Sequence, residues 1–331
     1  MVDRIPSGTR DVLPDEMREL RAMTDRVRTV FEAAGYGEVY TPALEYEDTF
    51  AREDRLHGTS PATHPAYRLF DEQGNVLVLR PDMTIPLARV VTTRYAHVDP
   101  PFRFCYFAHA YRGVRPQRGQ SRELLQAGVE LIGAPGPEGT AEALTVLCAS
   151  LDAAGLENYR VGLGDASLYP ELLATLGVIE APGERILGAL ARGNFVDVEA
   201  EVRALELPAA DAELLLAVPR IRGGPGVLSQ LPERLETAAT GMRGVHRLLE
   251  PRVAERIIFD LGLVRSLGYY TGAVFQVYDP AHGVPIGSGG RYDELLAGFG
   301  RPLPAVGFAL NVERLHIALT GEERGRGGGV Q

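Results

Sequence analysis

The sequence predicts an α+β fold, in which a mainly antiparallel sheet is flanked by helices and interrupted by a helical insertion. An amphipathic helix opens the chain, and extended segments joined by short polar turns follow it. A Leu-, Ala- and Glu-rich stretch broken by prolines then separates those strands from a second group near the C-terminus. The regular alternation of strand and helix that a doubly wound parallel sheet requires is missing.

The opening helix covers residues 13–34, where Leu13, Met17, Leu20, Met23, Val27, Val30, Phe31 and Ala34 recur at helical spacing. Gly35 closes it in the manner of a left-handed cap. Extended segments follow at 38–45, 66–72 and 76–80, the last two joined by the hairpin-like Gln73-Gly74-Asn75. A short helix is expected at 84–95, with Pro86 in its first turn, where an amide has no intrahelical partner. Strands are expected at 102–111 and 122–132, forming a long hairpin with a charged tip at 113–120. A helix at 140–154 ends at Gly155, and a strand follows at 159–164. Between 169 and 252, short helical patterns are broken at Pro182, Pro208, Pro219 and Gly223-Gly224-Pro225-Gly226. Strand character returns at 256–264, 273–278 and 306–310, before a last helix at 312–319. The expected organisation is a core of residues 1–168 and 253–320, a helical insertion at 169–252, and a disordered Gly- and Arg-rich tail at 321–331.

Composition narrows the function classes. The 331 residues are 45% hydrophobic and 24% charged, enough chain for a sizeable core. No apolar run reaches membrane-spanning length, so no membrane contact is expected. The first residues lack the basic and then apolar pattern of a signal peptide, so a cytoplasmic protein is expected. Cys105 and Cys148 have no second Cys or His at metal-ligand spacing; buried reduced thiols are the reading, with no structural metal. Net charge is −10, and all 34 basic residues are arginine, a balance that argues against a broad nucleic-acid surface. Walker, GxGxxG, HExxH, GxSxG and paired CxxC motifs are all missing, and no cofactor is expected.

What remains is a concentration of Arg, Gln and Glu: Arg112, Arg115, Arg118, Arg122, Gln126 and Glu130. On a strand, Arg122, Gln126 and Glu130 share one face, because side chains alternate with period two. Such a row is either a polar pocket or a solvated surface, not a hydrophobic core. The segment Gly287-Ser288-Gly289-Gly290-Arg291-Tyr292-Asp293 reads as a Gly-rich turn, either a phosphate loop or a tight connection. Tyr269-Tyr270 fits a core position beside a strand.

Six segments in order resemble the catalytic core of histidyl-tRNA synthetase, a class II aminoacyl-tRNA synthetase. Pro6-Ser7-Gly8-Thr9-Arg10-Asp11-Val12-Leu13-Pro14 is similar to that family's N-terminal signature. Residues 35–45, GYGEVYTPALE, resemble motif 1, and Tyr111-Arg112 through Arg118-Gly119 to Arg122, Gln126 and Glu130 resemble motif 2. Arg265-Ser266-Leu267-Gly268-Tyr269-Tyr270-Thr271-Gly272 looks like the histidine-specific motif. Gly289-Gly290-Arg291-Tyr292-Asp293 looks like the segment leading into motif 3, and residues 307–315 like motif 3 itself.

The resemblance implies a class II synthetase-like sheet and a histidine site. Asp82, Thr84 and Gln126 match positions that hold the α-amino group, Glu130 and Tyr270 those that bind the imidazole with Tyr269 beside them, and Arg265 the arginine that meets the carboxylate. Arg112 joins the same set. Carboxylates for an ammonium and an N–H, and a guanidinium for a carboxylate, form a coherent group. Residues usual in the family are replaced by Val114 and Gln120 in motif 2, by Ser266 and Gly268 near Arg265, and by Asn311 in motif 3, which implies an eroded ATP side. Loss of a single buried acceptor matched to adenine costs about 1–3 kcal/mol. The family's synthetases also continue into an anticodon-binding domain of about 100 residues, whereas this sequence ends after motif 3.

The implied reading is therefore a truncated, non-catalytic relative that charges no tRNA: a regulatory subunit of ATP phosphoribosyltransferase, the first enzyme of histidine biosynthesis. Its implied partners are the short-form catalytic subunit, histidine as effector, and a second copy of itself through motif 1, within a hetero-oligomer. The alternative is an active synthetase-like enzyme that activates histidine with ATP, for which Arg112, Arg265 and Arg314 are present.

Overall fold

The structure, a computed structural model, describes residues 5–51, 66–113, 120–263 and 269–327. Helix α1 (Pro14–Ala33) buries Leu20, Met23, Val27 and Phe31 along one stripe. Gly35, at φ +82°, ends it, with its amide and that of Tyr36 donating back to Glu32 and Phe31. Strands β1 (Gly37–Glu38), β2 (Leu44–Tyr46), β3 (Arg68–Phe70) and β4 (Val76–Leu79) precede helix α2 (Thr84–Thr93). The hairpin strands β5 (Phe102–Tyr111) and β6 (Glu123–Ile132) lead into α3 (Glu138–Ala154) and β7 (Arg160–Asp165). Helices α4 (Leu168–Thr175), α5 (Glu180–Ala191), α6 (Phe195–Ala204) and α7 (Ala209–Ala217) follow, then the short strand β8 (Arg222–Gly223) and helices α8 (Glu236–Leu248) and α9 (Pro251–Ala254). The chain closes with β9 (Ile257–Asp260), β10 (Ala273–Asp279), β11 (His282–Arg291), β12 (Ala305–Asn311) and α10 (Val312–Gly327).

Among the described residues nine strands form one sheet, in the order β1-β5-β6-β12-β11-β10-β7-β9-β8, and β2-β4-β3 form a second. Pairings from β5 to β7 are antiparallel, whereas β1 with β5 and β7 with β9 are parallel. The α+β class holds, with parallel pairing toward both edges. One face of the large sheet is covered by α1, α3 and α10 around Phe31, Cys105, Val129, Leu147 and Phe308. The other face carries a smaller core of Ile85, Leu87, Val91, Phe104, Tyr106, Leu295 and Leu296, contributed by α2, β5 and the segment after β11. Of the polar residues singled out above, Gln126 and Glu130 lie on this less covered face. The apolar side chains of α4 to α8 join the larger core, and β8 pairs with β9, so the 169–252 stretch is fastened to the sheet.

Two expectations are corrected. The Gly-rich segment 287–293 is not a turn: residues 287–291 form the second half of β11, between β10 and β12. Its glycines supply room on both faces of the sheet. A Cβ at Gly289 would overlap Phe275, and one at Gly290 would overlap Tyr270. The tail expected to be disordered from Gly321 is helical as far as Gly327. Buried Glu322 anchors it by accepting the amides of Glu157, at 3.1 Å, and Asn158, at 2.8 Å. Among the described residues no helix is long and apolar enough to cross a membrane.

Candidate functional site

The register of the central strands builds the site. Glu130 on β6 lies opposite Gly307 on β12, which lies opposite Gly290 on β11. One pleat along, Tyr106, Gly128, Ala309 and Ser288 make the neighbouring row, followed by Gln126 opposite Asn311. Alternation puts all of these on the face away from the large core. The glycines keep the floor low: a Cβ at Gly307 would occupy the place of the Glu130 carboxyl, and one at Gly128 would strike the Tyr106 hydroxyl.

Around this floor stands a cavity whose walls include Asp82, Thr84, Tyr106, Arg112, Gln126, Glu130, Tyr269, Tyr270 and Tyr292. Seven of the residues expected for a ligand site are thus brought together: Asp82, Thr84, Arg112, Gln126, Glu130, Tyr269 and Tyr270. The eighth, Arg265, lies in 264–268, outside the described residues, as do Arg115 and Arg118. Arg122 is placed elsewhere. It sits just before β6, donates from Nε to the Ser7 carbonyl at 2.5 Å and from Nη1 to the Tyr67 hydroxyl, and lines a separate, largely apolar hollow under the N-terminal segment. The row Gln126 and Glu130 is a pocket face, and Arg122 is a structural clamp beyond its end.

Glu130 is 2% exposed. The Thr84 hydroxyl donates to its Oε1 at 2.8 Å, and the Tyr292 hydroxyl donates to its Oε2. Burial pushes its carboxyl up to about 8; the two hydroxyl donors pull the other way, and the charge of Asp82 adds to the rise. Asp82, at the residue pair leading into α2, accepts the Ile85 amide at 3.2 Å. Enclosure by protein raises its carboxyl too, against the opposing pull of that amide and of Arg112. Arg112, just past β5, donates from Nε to the Pro81 carbonyl at 3.2 Å. Gln126 is buried, and its Oε1 has no hydrogen-bond partner among the described residues. The cavity therefore offers a ligand two carboxyl groups and an amide oxygen in want of a donor, with a guanidinium on the rim.

Tyr269, 2% exposed, packs against Tyr270 at 4.9 Å and edge-on to Tyr292 at 5.7 Å. The two tyrosines read as core residues are both core and pocket wall. Tyr106, Ser288, Tyr292 and Gly307 also line the cavity and were missed as site residues. Strand alternation offers a signal for Tyr106 and Gly307, but only the register between β5, β6 and β12 puts them beside Glu130.

A second cavity of about 250 Å³ adjoins the first and shares Arg112, Gln126, Ser288 and Ala309; its other polar side chains are Gln276, Asn311 and Arg314. Arg314 donates from Nη1 to the Pro285 carbonyl at 2.8 Å.

Residues 8–315 match the histidyl-tRNA synthetase family profile. The chain is 40% identical over 323 residues to an ATP phosphoribosyltransferase regulatory subunit of Symbiobacterium thermophilum, covering 95% of this chain and 79% of that protein. Among solved structures, an ATP phosphoribosyltransferase regulatory subunit/histidyl-tRNA synthetase from Bacillus halodurans superposes with a TM-score of 0.87 at 34% identity, covering 96% of this chain and 84% of the other. A histidyl-tRNA synthetase from Nostoc superposes with a TM-score of 0.79 at 22% identity, covering 98% and 76%, a likeness of fold.

Proposed function

The chain belongs to the histidyl-tRNA synthetase family, among its ATP phosphoribosyltransferase regulatory subunits, and from that premise we propose that it binds histidine in the cavity around Glu130 and transmits feedback inhibition to a separate short-form catalytic subunit. The observation that carries this reading is the polar set that faces one cavity: the buried carboxyl of Glu130, the part-buried carboxyl of Asp82 and the unpartnered Gln126 oxygen. A ligand rich in N–H donors matches them, and histidine supplies an ammonium and an imidazole. Asp82, Thr84 and Gln126 receive the ammonium, Glu130 with Tyr270 and Tyr269 receives the imidazole, and Arg112 with Arg265 meets the carboxylate.

The chain itself supplies no catalytic group in this reading; the catalytic subunit joins ATP to phosphoribosyl pyrophosphate in the cytoplasm. Inhibition follows when histidine prefers one arrangement of the complex, a coupling of about 1–3 kcal/mol being usual. A homodimer through the motif 1 region is supported by the apolar side chains left on the surface there, Tyr40 at 86% exposure, with Leu44, Tyr46, Leu69 and Phe70 on the small sheet.

The test is phosphoribosyl transfer by the catalytic subunit, with and without this protein, across a histidine titration. Activation by this chain that histidine reverses is expected. Glu130→Ala is expected to abolish the histidine response while leaving assembly intact, and unchanged inhibition in that variant refutes the pocket. The adjoining cavity with Arg112 and Arg314 favours one second reading, histidine activation with ATP, which histidine-dependent ATP–pyrophosphate exchange would detect.

A further inference from the structure

We propose that Tyr292 is a positioning residue of the effector site: its hydroxyl fixes the Glu130 carboxyl and sets the proton that Glu130 shares with a bound imidazole. The inference rests on the histidine reading above and adds to it a residue and a proton linkage.

Tyr292 directly follows β11 and is 2% exposed. Its hydroxyl holds Oε2 of Glu130 while Thr84 holds Oε1, so the carboxyl is fixed at both oxygens. Its backbone is locked from two sides. The Tyr292 amide donates to Ala305 at 2.8 Å, at the start of β12. Next to it, the Asp293 amide donates to the Thr271 hydroxyl at 2.9 Å, and the Thr271 amide donates to the Arg291 carbonyl at 2.9 Å. Asp293 also accepts from Arg291 Nε at 2.8 Å and from the Ala305 amide at 3.1 Å. The stretch 291–293 therefore ties the pocket floor to the segment that carries Tyr269 and Tyr270, whose rings pack on Tyr292 in series.

The titratable and charged groups around Glu130 are Asp82 ahead of α2, Tyr106 on β5, Arg112 just past β5, Tyr269 and Tyr270 before β10, and Tyr292 after β11. Asp82 opposes ionisation of Glu130, and Arg112 acts on Asp82 and Tyr106. The donors that favour a Glu130 carboxylate are the hydroxyls of Tyr292 and Thr84. In the occupied site one proton lies between Glu130 and the imidazole. A neutral carboxyl with neutral imidazole and a carboxylate with imidazolium hold the same atoms and the same net charge. Near pH 7 the empty site already holds that proton, with Glu130 raised to about 8, so binding takes up none. Above that value the proton must come from solvent, and affinity falls by up to tenfold per pH unit. Donation from Tyr292 stabilises the carboxylate of the bound pair more than the neutral acid of the empty site.

Titration calorimetry with histidine between pH 6 and 9 tests this on the full chain and on Tyr292→Phe, Glu130→Gln and the double variant. Tyr292→Phe keeps the ring that packs on Tyr269 and loses only the hydroxyl. Its histidine affinity at pH 7 should drop about 10- to 100-fold, and its alkaline loss of affinity should begin at higher pH than in the unaltered protein. In the Glu130→Gln background the same substitution should change affinity by no more than about twofold, and the alkaline limb should vanish. In the unaltered protein, titrations in two buffers of different ionisation enthalpy should show proton uptake rising from near zero at pH 7 toward one above pH 8. An unchanged affinity and pH profile in Tyr292→Phe, an equal loss in both backgrounds, or no proton uptake overturns the role of Tyr292 while histidine binding stands. Failure of the unaltered protein to bind histidine overturns both readings.

Discussion

Glu130 concentrates the chemistry of this protein because a carboxyl has been placed where water is scarce and other acids are near. Its proton affinity is raised in the folded state, up to about 8 with burial as the largest cause. Between its ordinary value near 4.5 and that value, the folded protein holds a proton that the unfolded chain has released. Stability in the absence of ligand therefore falls as pH rises from about 4.5 to about 8, by an amount on the order of a few kcal/mol. Glu130→Gln should flatten that part of the pH dependence, as read from urea midpoints at a series of pH values; an unaltered slope would assign it to other groups. Residue types pointed to a pocket or a polar face at 122–130, but could not show that Gln126 lacks a donor or that Arg122 turns away to Ser7 and Tyr67.

The elements place these side chains through register. β6, β12 and β11 bring Glu130, Gly307 and Gly290 into one row; the missing side chain at Gly307 leaves the depth that the carboxyl occupies, and the one at Gly290 makes room for Tyr270. Gly307→Ala puts a methyl where Glu130 now lies, and should lower histidine affinity by more than tenfold in calorimetry while the far-ultraviolet circular dichroism stays that of the parent, since β12 remains paired on both edges. Retained affinity would show that Glu130 can move aside without loss. The Gly-rich run 287–291 looks like a turn locally because glycine marks turns; within a sheet it marks close approach, and only cross-strand neighbours distinguish the two. Helix ends, by contrast, were readable one element at a time, as the left-handed Gly35 and Gly155 show.

At the scale of the molecule, the large sheet divides the chain's work. One face carries the main core under α1, α3 and α10, and the other holds the cavity beside α2. The small sheet projects Leu44, Tyr46, Leu69 and Phe70 to the surface, with Tyr40 nearby. If a second copy covers this patch, Phe70→Glu combined with Tyr46→Glu should convert a dimer to a monomer in light scattering after gel filtration, because two charges would have to be buried without partners. A particle of unchanged mass would place the self-association surface elsewhere. The proposed histidine response belongs to this same scale, since it would require the cavity to differ in affinity between two arrangements.

The sequence by itself determined the α+β class, most of its elements, the helix stripes and caps, and the polar residue types that line the cavity. These follow from periodicity, from local backbone rules and from motifs, all of which act over a few residues. Only the tertiary structure decided that residues 287–291 are a strand, that the last helix runs on past Gly321 because Glu322 caps Glu157 and Asn158, and that Tyr292 reaches Glu130 across 162 positions. Each of those depends on which strands are neighbours and on how far water is excluded, and neither property belongs to any short stretch of chain.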